Sequence, residues 1–228
     1  IQRDPDNFNQ IDPDFAMTSR PCPPYCVQPI QLAPGVETIG ELEVMDYLRR
    51  ITRRDDGVLV IDSREPDWLE RSGIIPAAIN IPWNRLHPAH ADPEAIAEIL
   101  SLQFGASRTG ILWNFENAKT LVFYCNGVWC GQSPTNIRQL LALGYPAHKL
   151  KWYRGGMQAW KSLGLTTAPA AVAHGPVALS VAMFVAGLGC QPAITAGVEA
   201  LTRVVPDRAR GEALGWHGSA MTGGSAMG

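Results

Sequence analysis

A cysteine placed between an apolar run and a helical segment is the feature of this sequence best suited to chemistry. Cys125 ends the run 120–125, and a short loop leads from it to a helix predicted to begin at Ser133. Backbone N–H groups and the positive end of a helix dipole lower the pKa of such a thiol from about 8.5 toward roughly 3.5–7.5. Because the thiolate is the reactive form, the pattern predicts a nucleophile, although a buried small hydrophobe fits the same position.

Further motifs surround this cysteine in a fixed order. The chain reads Val58-Leu-Val-Ile-Asp62-Ser-Arg64, then Gly73-Ile-Ile-Pro76-Ala-Ala-Ile-Asn80-Ile-Pro82, then Gly144-Tyr145, and then Gly155-Gly156-Met-Gln-Ala-Trp160. The ordered set resembles the rhodanese family over about residues 37–165. The resemblance implies an α/β domain over residues 37–167, with a parallel sheet, helices on both faces and an active-site loop between a strand end and a helix N-terminus.

The residues themselves predict the same architecture. The uncharged runs 58–61 and 120–123 are typical of strands covered on both faces of a parallel sheet. The spacing of apolar residues predicts helices over 39–51, 93–104, 134–143 and 157–163. Ser133 is predicted to cap the helix after the cysteine, with Pro134 at its first position and Gly144 at its end.

The resemblance implies a sulfurtransferase that moves sulfane sulfur through a persulfide on Cys125. The thiolate would attack the outer sulfur of a small donor anion, and an acceptor thiol would then take the sulfur up. The loop departs from the family pattern: Ser133 lies eight positions after Cys125 rather than six, and no basic side chain lies between Asn126 and Gln132. This departure argues against thiosulfate as the substrate. An anionic donor would have to be bound by backbone N–H groups, by the helix end or by arginines folded nearby.

The predicted site therefore comprises two cysteines and their surroundings. Cys125 and Cys130 are the predicted catalytic residues. The predicted substrate-binding residues are Asn126, Gly127, Val128, Trp129, Gly131, Gln132, Ser133, Arg64 and Arg154. Arg64 is also predicted to form an ion pair with Asp62. No metal site and no cofactor are predicted, because the sequence shows neither a metal-ligand cluster nor a nucleotide-binding glycine pattern.

Three roles are open to Cys130. It could be a resolving thiol that forms a disulfide with Cys125, a second carrier of the sulfane sulfur, or a structural residue packed under Trp129. The alternatives to a sulfurtransferase are accordingly a dithiol redox module and a non-catalytic module that uses the fold for binding or regulation. A phosphatase is disfavoured, because Gly131 stands where an arginine would bind phosphate bidentately.

Residues 1–36 are predicted to form an extended arm outside the domain. The segment 1–15 is rich in Asp, Asn, Gln and Pro, which is typical of a surface-draping or disordered segment. Cys22 and Cys26 enclose two prolines, so this stiff pair could close a disulfide, supply two metal ligands or remain two inert thiols. With no second Cys/His pair nearby, the metal is the least favoured of the three.

Residues 168–228 form a distinct apolar tail. The uncharged run 177–198 is long enough to cross a bilayer, and an arginine-rich loop, 203–210, follows it. This arrangement resembles a segment of a major facilitator superfamily transporter, which implies a membrane hairpin or a fusion fragment. An apolar surface helix is the alternative. Since arginine-rich loops face the cytoplasm, a single span would place the domain in an extracytoplasmic or periplasmic location, with a cytoplasmic one as the alternative.

Charge and composition limit the partners. The chain of 228 residues has a formal net charge of −2. Without a basic stripe, the counterion release that drives nucleic-acid binding is unavailable, so no nucleic-acid partner is predicted. Because the sequence begins with Ile rather than Met, we interpret it as a fragment or a processed form.

Overall fold

A computed structural model of the protein describes residues 1–110 and 112–169. This part of the chain contains the strands β1 (Glu37–Ile39), β2 (Val58–Asp62), β3 (Ile79–Asn80), β4 (Ser107–Thr109), β5 (Leu112–Asn114), β6 (Thr120–Tyr124) and β7 (Leu150–Tyr153). Five of them form one sheet in the order β1-β7-β6-β2-β3, in which every neighbouring pair is parallel. The strands β4 and β5 form a separate antiparallel pair that was not predicted. The predicted parallel sheet is confirmed, with β6 at its centre.

Helices occupy most of the connections between these strands. They are α1 (Pro13–Ala16), α2 (Glu41–Thr52), α3 (Pro66–Ser72), α4 (Pro93–Glu98), α5 (Gln132–Ala142) and α6 (Gly156–Ser162). A π-helix, Ile99–Gln103, continues α4, and short 3₁₀ helices span Trp83–Arg85 and Ala147–Lys149. The four helices predicted from apolar spacing are present with small shifts at their ends. The shorter α1 and α3 were not predicted.

Both faces of the sheet are covered, because successive residues of a strand point to opposite sides. Ile61 and Phe123 belong to a buried cluster that includes residues of α4 and α5. Their neighbours Val60 and Val122 belong to a second cluster with residues of α2, α3 and α6. Each such buried apolar side chain contributes about 1.5–3 kcal/mol. The predicted α/β arrangement with helices on both faces is confirmed, and it buries β6 between the two clusters.

The N-terminal arm lies against the domain. Phe15 in α1 is buried in the same cluster as α2, α3 and α6, and its carbonyl accepts a hydrogen bond from the Gln158 side chain. The Gln28 N–H donates to the Val128 carbonyl at 2.8 Å, so the end of the arm is attached to the loop after Cys125. These contacts attach Phe15 and Gln28 of the arm to the domain.

The arm carries a disulfide close to the predicted site. Cys22 and Cys26 are bonded to each other, which is one of the three states considered for this pair. Within the bridged segment, the Tyr25 ring meets the Trp129 ring edge-on, with 5.7 Å between their centroids. The disulfide thus stabilises a short turn that covers part of the loop after Cys125.

The predicted apolar tail lies almost wholly outside the described residues. Ala168 is hydrogen-bonded to Ile74 through both backbone groups, at 2.8 and 2.9 Å. Over residues 1–110 and 112–169, no helix combines the length and the hydropathy that crossing a membrane requires. The membrane hairpin and the extracytoplasmic location remain predictions.

Candidate functional site

The strand β6 and the helix α5 position Cys125 as predicted. β6 ends at Tyr124, Cys125 follows it directly, and α5 begins at Gln132. We call residues 125–131 the cysteine loop. Cys125 is 2% exposed and Cys130 is 4% exposed, and both are free thiols. The fold therefore brings the two predicted catalytic cysteines together in one buried loop.

The turn before α6 supports the cysteine loop from the neighbouring strand. The N–H groups of Met157 and Gln158 donate to the carbonyls of Cys125 and Asn126, both at 2.9 Å. Gly156 has a φ of 56°, and a Cβ there would overlap the Cys125 carbonyl oxygen. Only glycine lets α6 begin so close to the loop. This glycine therefore permits the close backbone approach between α6 and the cysteine loop.

The Cys125 sulfur lies within hydrogen-bonding distance of the Ser133 hydroxyl and the Cys130 carbonyl. The Ser133 hydroxyl donates to Cys125 Sγ at 3.1 Å and itself accepts from Trp152 Nε1 at 3.1 Å. Burial works to raise the pKa of Cys125, but hydrogen bonds from the Cys130 thiol and from the Ser133 hydroxyl and backbone N–H outweigh it. The net effect is a pKa below that of an ordinary thiol. The site therefore favours the nucleophilic thiolate at Cys125.

Ser133 performs this role instead of the predicted helix capping. Gly131 occupies the N-cap position of α5, and Pro134 lies at the third helical position rather than the first. The Ser133 side chain makes no hydrogen bond to the helix backbone, because its hydroxyl is directed at the sulfur. The prediction that Ser133 caps α5 was wrong. Gly144 follows the helix end with a φ of 88°, as predicted for a terminating glycine.

The variant Ser133→Ala is expected to raise the pKa of Cys125, because the thiolate loses a hydrogen-bond donor. In a pH titration followed by the ultraviolet absorbance of thiolates, the first rise in absorbance should then occur at a higher pH in the variant than in the wild type. Thr135→Val is the matched control, since the Thr135 hydroxyl donates to the Gly131 carbonyl and not to sulfur. A titration unchanged in Ser133→Ala would rule out stabilisation by this hydroxyl.

The pKa of Cys130 is shifted in the opposite direction to that of Cys125. Its N–H donates to the Gly127 carbonyl at 2.9 Å, which turns the cysteine loop back on itself. As a result, Cys125 Sγ lies 3.6 Å from the Cys130 carbonyl oxygen, and Cys130 Sγ lies 3.6 Å from Gln132 Oε1. Burial and the adjacent Cys125 sulfur raise the pKa of Cys130 well above its ordinary value. Of the two thiols, Cys125 is therefore the more acidic.

Trp129 packs between the arm and α6. Its indole N–H donates to Gln158 Oε1 at 2.8 Å, and the Arg20 guanidinium lies over its ring, 3.8 Å from the centroid. With Tyr25 against its edge, the Trp129 side chain is only 8% exposed. These contacts fix the outer part of the cysteine loop to two other segments. Cation–π contacts of this kind contribute on the order of 0.5–2 kcal/mol.

Arg64 is not available to a substrate. Its side chain is fully buried, and its N–H groups donate to the Asp62 carboxylate, to Ser72 Oγ and to the Gly73 carbonyl. Burial works to lower the pKa of Arg64, but the Asp62 carboxylate outweighs it and the pKa is raised. The predicted ion pair with Asp62 is confirmed. The prediction that Arg64 binds substrate was wrong, because its donors are directed into the core.

Arg154 contacts the arm rather than the two cysteines. Its Nε and Nη2 atoms donate to the Gln28 carbonyl at 3.2 and 2.7 Å. Gln28 in turn donates to the Val128 carbonyl, so Arg154 fixes the arm and, through it, the cysteine loop. Within the described residues, Arg154 makes no hydrogen bond to the loop itself. The structure gives this residue a positioning role in place of the predicted contact with substrate.

A cavity of about 350 Å³ lies beside the cysteine loop. We call it the aromatic cavity. It is lined by Pro24, Tyr25, Trp68, Trp83, Asn126, Trp129, Cys130, Gly131, Gln132 and Thr135. The predicted substrate-binding residues Gly127, Val128, Ser133, Arg64 and Arg154 are not part of its lining. Asn126 does line the cavity, and its Oδ1 atom has no hydrogen-bond partner in the described part of the chain.

Sequence reasoning missed the residues that reach this cavity from other segments. Tyr25 comes from the arm, Trp68 from α3 and Trp83 from the turn after β3. None of them belongs to a recognisable motif, and only the closed fold brings them together. Over residues 1–110 and 112–169, no group of three or more His, Cys, Asp or Glu side chains is arranged to hold a metal ion.

Several solved structures are similar to this chain at low identity. The BH2092 protein from Bacillus halodurans is 20% identical, with 60% of this chain and 78% of that one covered and a TM-score of 0.40. The human single-domain sulfurtransferase TSTD1 is 20% identical, with 56% and 96% covered and a TM-score of 0.36. Thiosulfate sulfurtransferase from Pseudomonas aeruginosa is 17% identical, with 59% of this chain but only 20% of that one covered and a TM-score of 0.38.

Comparison with protein families gives a more specific result. No curated protein matches the chain. The family model of the rhodanese-like domain matches residues 45–163, which is more than half of the chain. The match spans α2 to α6 and contains the whole cysteine loop. The chain therefore belongs to the rhodanese-like domain family.

Proposed function

We propose that this domain is a sulfurtransferase that carries sulfane sulfur as a persulfide on Cys125. The observation that supports it most is the position of the free Cys125 thiol at the end of β6, where the Ser133 hydroxyl donates to its sulfur at 3.1 Å. Its partners are a small sulfur donor and a thiol acceptor. The reaction requires no metal and no organic cofactor, because the thiolate itself is the nucleophile.

The transfer takes place in two displacements at sulfur. The Cys125 thiolate attacks the outer sulfur of the donor, the donor's bond to that sulfur breaks, and the rest of the donor leaves with the electron pair. An acceptor thiolate then attacks the outer sulfur of the persulfide and releases Cys125 as a thiolate. Neither step consumes an oxidant or a reductant. The donors that lower the pKa of Cys125 also make it a good leaving group in the second step.

The test is the location of the transferred sulfur. We would incubate the full chain separately with thiosulfate, 3-mercaptopyruvate and an organic persulfide, and sequence by fragment mass the peptide that holds both loop cysteines. The expected result is one added sulfur on Cys125, and loss of transfer to an acceptor thiol in Cys125→Ser. If no donor places sulfur on Cys125 of the wild type, the proposed function is wrong.

A dithiol redox function is the second candidate, because the two free thiols Cys125 and Cys130 lie together in one buried loop. In that reaction the two thiols lose two electrons and two protons to a disulfide-containing partner and form an internal disulfide. Mild oxidation of the wild type would then remove two hydrogens. The same treatment of Cys130→Ser would not. Sulfur uptake without this disulfide would favour the sulfurtransferase.

A further inference from the structure

The loop cysteines are buried, although the proposed function requires a donor and an acceptor to reach Cys125. Cys125 is 2% exposed and Cys130 is 4% exposed. Part of the cover over their loop comes from residues 20–28 of the arm, which we call the strap. The strap precedes the segment 45–163 that the rhodanese-like family model matches. This part of the cover therefore lies outside the matched domain.

The strap contacts two successive residues of the cysteine loop. The Tyr25 ring meets the Trp129 ring edge-on, and the Arg20 guanidinium lies over the Trp129 face, 3.8 Å from the centroid. Next to it, the Gln28 N–H donates to the Val128 carbonyl at 2.8 Å. One contact is thus made by side chains and the other by the backbone. Together they cover the outer part of the loop.

The strap also forms one wall of the aromatic cavity. Pro24 and Tyr25 line this cavity together with Cys130. The Tyr25 side chain is 45% exposed, so it is in contact with the cavity and with solvent. Displacement of the strap would therefore open the cavity on this side and uncover the Trp129 ring.

The disulfide controls the conformation of the strap. The bridge between Cys22 and Cys26 encloses three residues, among them Tyr25. The Tyr25 N–H donates to the Pro21 carbonyl at 3.0 Å inside the same turn. A bridge across so short a segment restricts the conformations that the segment can adopt, and its reduction removes this restriction. The contact between Tyr25 and the loop therefore depends on the oxidation state of the bridge.

Resting on the proposed function, we propose that the strap is a redox-sensitive cover of the cysteine loop. While Cys22 and Cys26 are bonded, the strap restricts the approach of the sulfur donor and of the acceptor thiol. Reduction of the bridge releases the strap, and both reach Cys125 faster. The inference rests on the contacts that the strap makes with Trp129 and on the position of the bridge within it.

The switching step is a thiol–disulfide exchange with a dithiol reductant. One thiolate of the reductant attacks a sulfur of the bridge, the bond between Cys22 and Cys26 breaks, and a mixed disulfide forms. The second thiol of the reductant then displaces the remaining protein thiol. Two electrons and two protons pass to the two cysteines, and the reductant leaves as an internal disulfide. Cys125 and Cys130 remain free thiols throughout.

The experiment compares three forms of the full chain. They are the oxidised wild type, the wild type reduced with tris(2-carboxyethyl)phosphine that is then removed, and Cys22→Ser/Cys26→Ser. The first measurement is the rate at which iodoacetamide alkylates Cys125, located by fragment mass. It is made on the high-pH plateau, where the rate reports access and not the pKa of the thiol. The second is the rate of sulfur uptake from an organic persulfide. Near-ultraviolet circular dichroism checks that each form is folded.

We expect both rates to be at least about tenfold higher in the two forms without the bridge than in the oxidised wild type. Reoxidation of the reduced wild type should restore the slow rates. Val27→Ser is the matched control, because Val27 lies in the strap but is 72% exposed. With its bridge intact, this variant should behave as the oxidised wild type does.

The two measurements separate the strap from the proposed function. If Cys125 is alkylated no faster without the bridge, the strap is not its cover, and sulfur uptake would still support the proposed function. Faster alkylation with unchanged uptake would overturn the claim that the strap restricts the donor. Faster alkylation with no sulfur on Cys125 in any form would overturn the proposed function and support the strap as a cover.

Discussion

Arg64→Met is expected to lower the free energy of unfolding by about 3–5 kcal/mol, because it leaves a buried carboxylate without its counterion. Both members of the Arg64–Asp62 pair are 0% exposed, and Nη2 lies 2.6 Å from Oδ2. The variant also removes the donors to Ser72 Oγ and the Gly73 carbonyl. The midpoint and slope of urea unfolding measure the change.

Arg50→Met is the matched control for this prediction. Arg50 pairs with Asp55 at 2.9 Å, but these side chains are 44% and 37% exposed. Water screens such a pair, so its loss should leave the unfolding midpoint nearly unchanged. The double variant Asp62→Leu/Arg64→Met should regain much of the lost stability, because it removes both buried charges. Equal effects of Arg64→Met and Arg50→Met would contradict the importance of the buried pair.

The buried pair also affects the site through the sheet. Asp62 ends β2 and is the register partner of Tyr124 in β6, directly before Cys125. The next residue, Ser63, donates its N–H to the Tyr124 carbonyl at 2.9 Å. Loss of the ion pair should therefore loosen the strand end that presents Cys125. We expect Arg64→Met to reduce the sulfur uptake of the protein that is still folded.

The parts of the fold that depend on local pattern could be predicted from the sequence. Apolar runs such as 58–61 and 120–123 are typical of strands that are covered on both faces. The position of Cys125 follows directly, because the chain must leave β6 at the next residue and return through α5.

The parts that depend on distant segments could not be predicted. Ser133 was expected to cap a helix, but the buried sulfur of Cys125 attracts its hydroxyl, and nothing in the local sequence indicates that contact. Arg64 was expected near an anion, although a full set of acceptors in the core already binds it. The aromatic cavity combines rings from the arm, α3 and the turn after β3. Such a site exists only after the fold has closed.

Gly156→Ala is expected to cost about 2–5 kcal/mol of folding free energy and to abolish sulfur uptake. The residue has a φ of 56°, and the added Cβ would overlap the Cys125 carbonyl oxygen and lie 2.9 Å from the Gly127 N atom. The helix α6 would have to move away from the cysteine loop. It would then lose the hydrogen bond from the Met157 N–H to the Cys125 carbonyl. Urea unfolding and the sulfur-uptake assay measure the two effects.

Gly110→Ala separates backbone strain from the loss of close approach. Gly110 has a φ of 62°, similar to that of Gly156, but no described atom lies within 4 Å of a Cβ built there. Its substitution should therefore cost only about 1 kcal/mol of backbone strain and leave sulfur uptake intact. If both variants lose the same stability and both remain active, the contact between α6 and the cysteine loop does not hold Cys125 in place. A selective loss of activity in Gly156→Ala would show that this contact does.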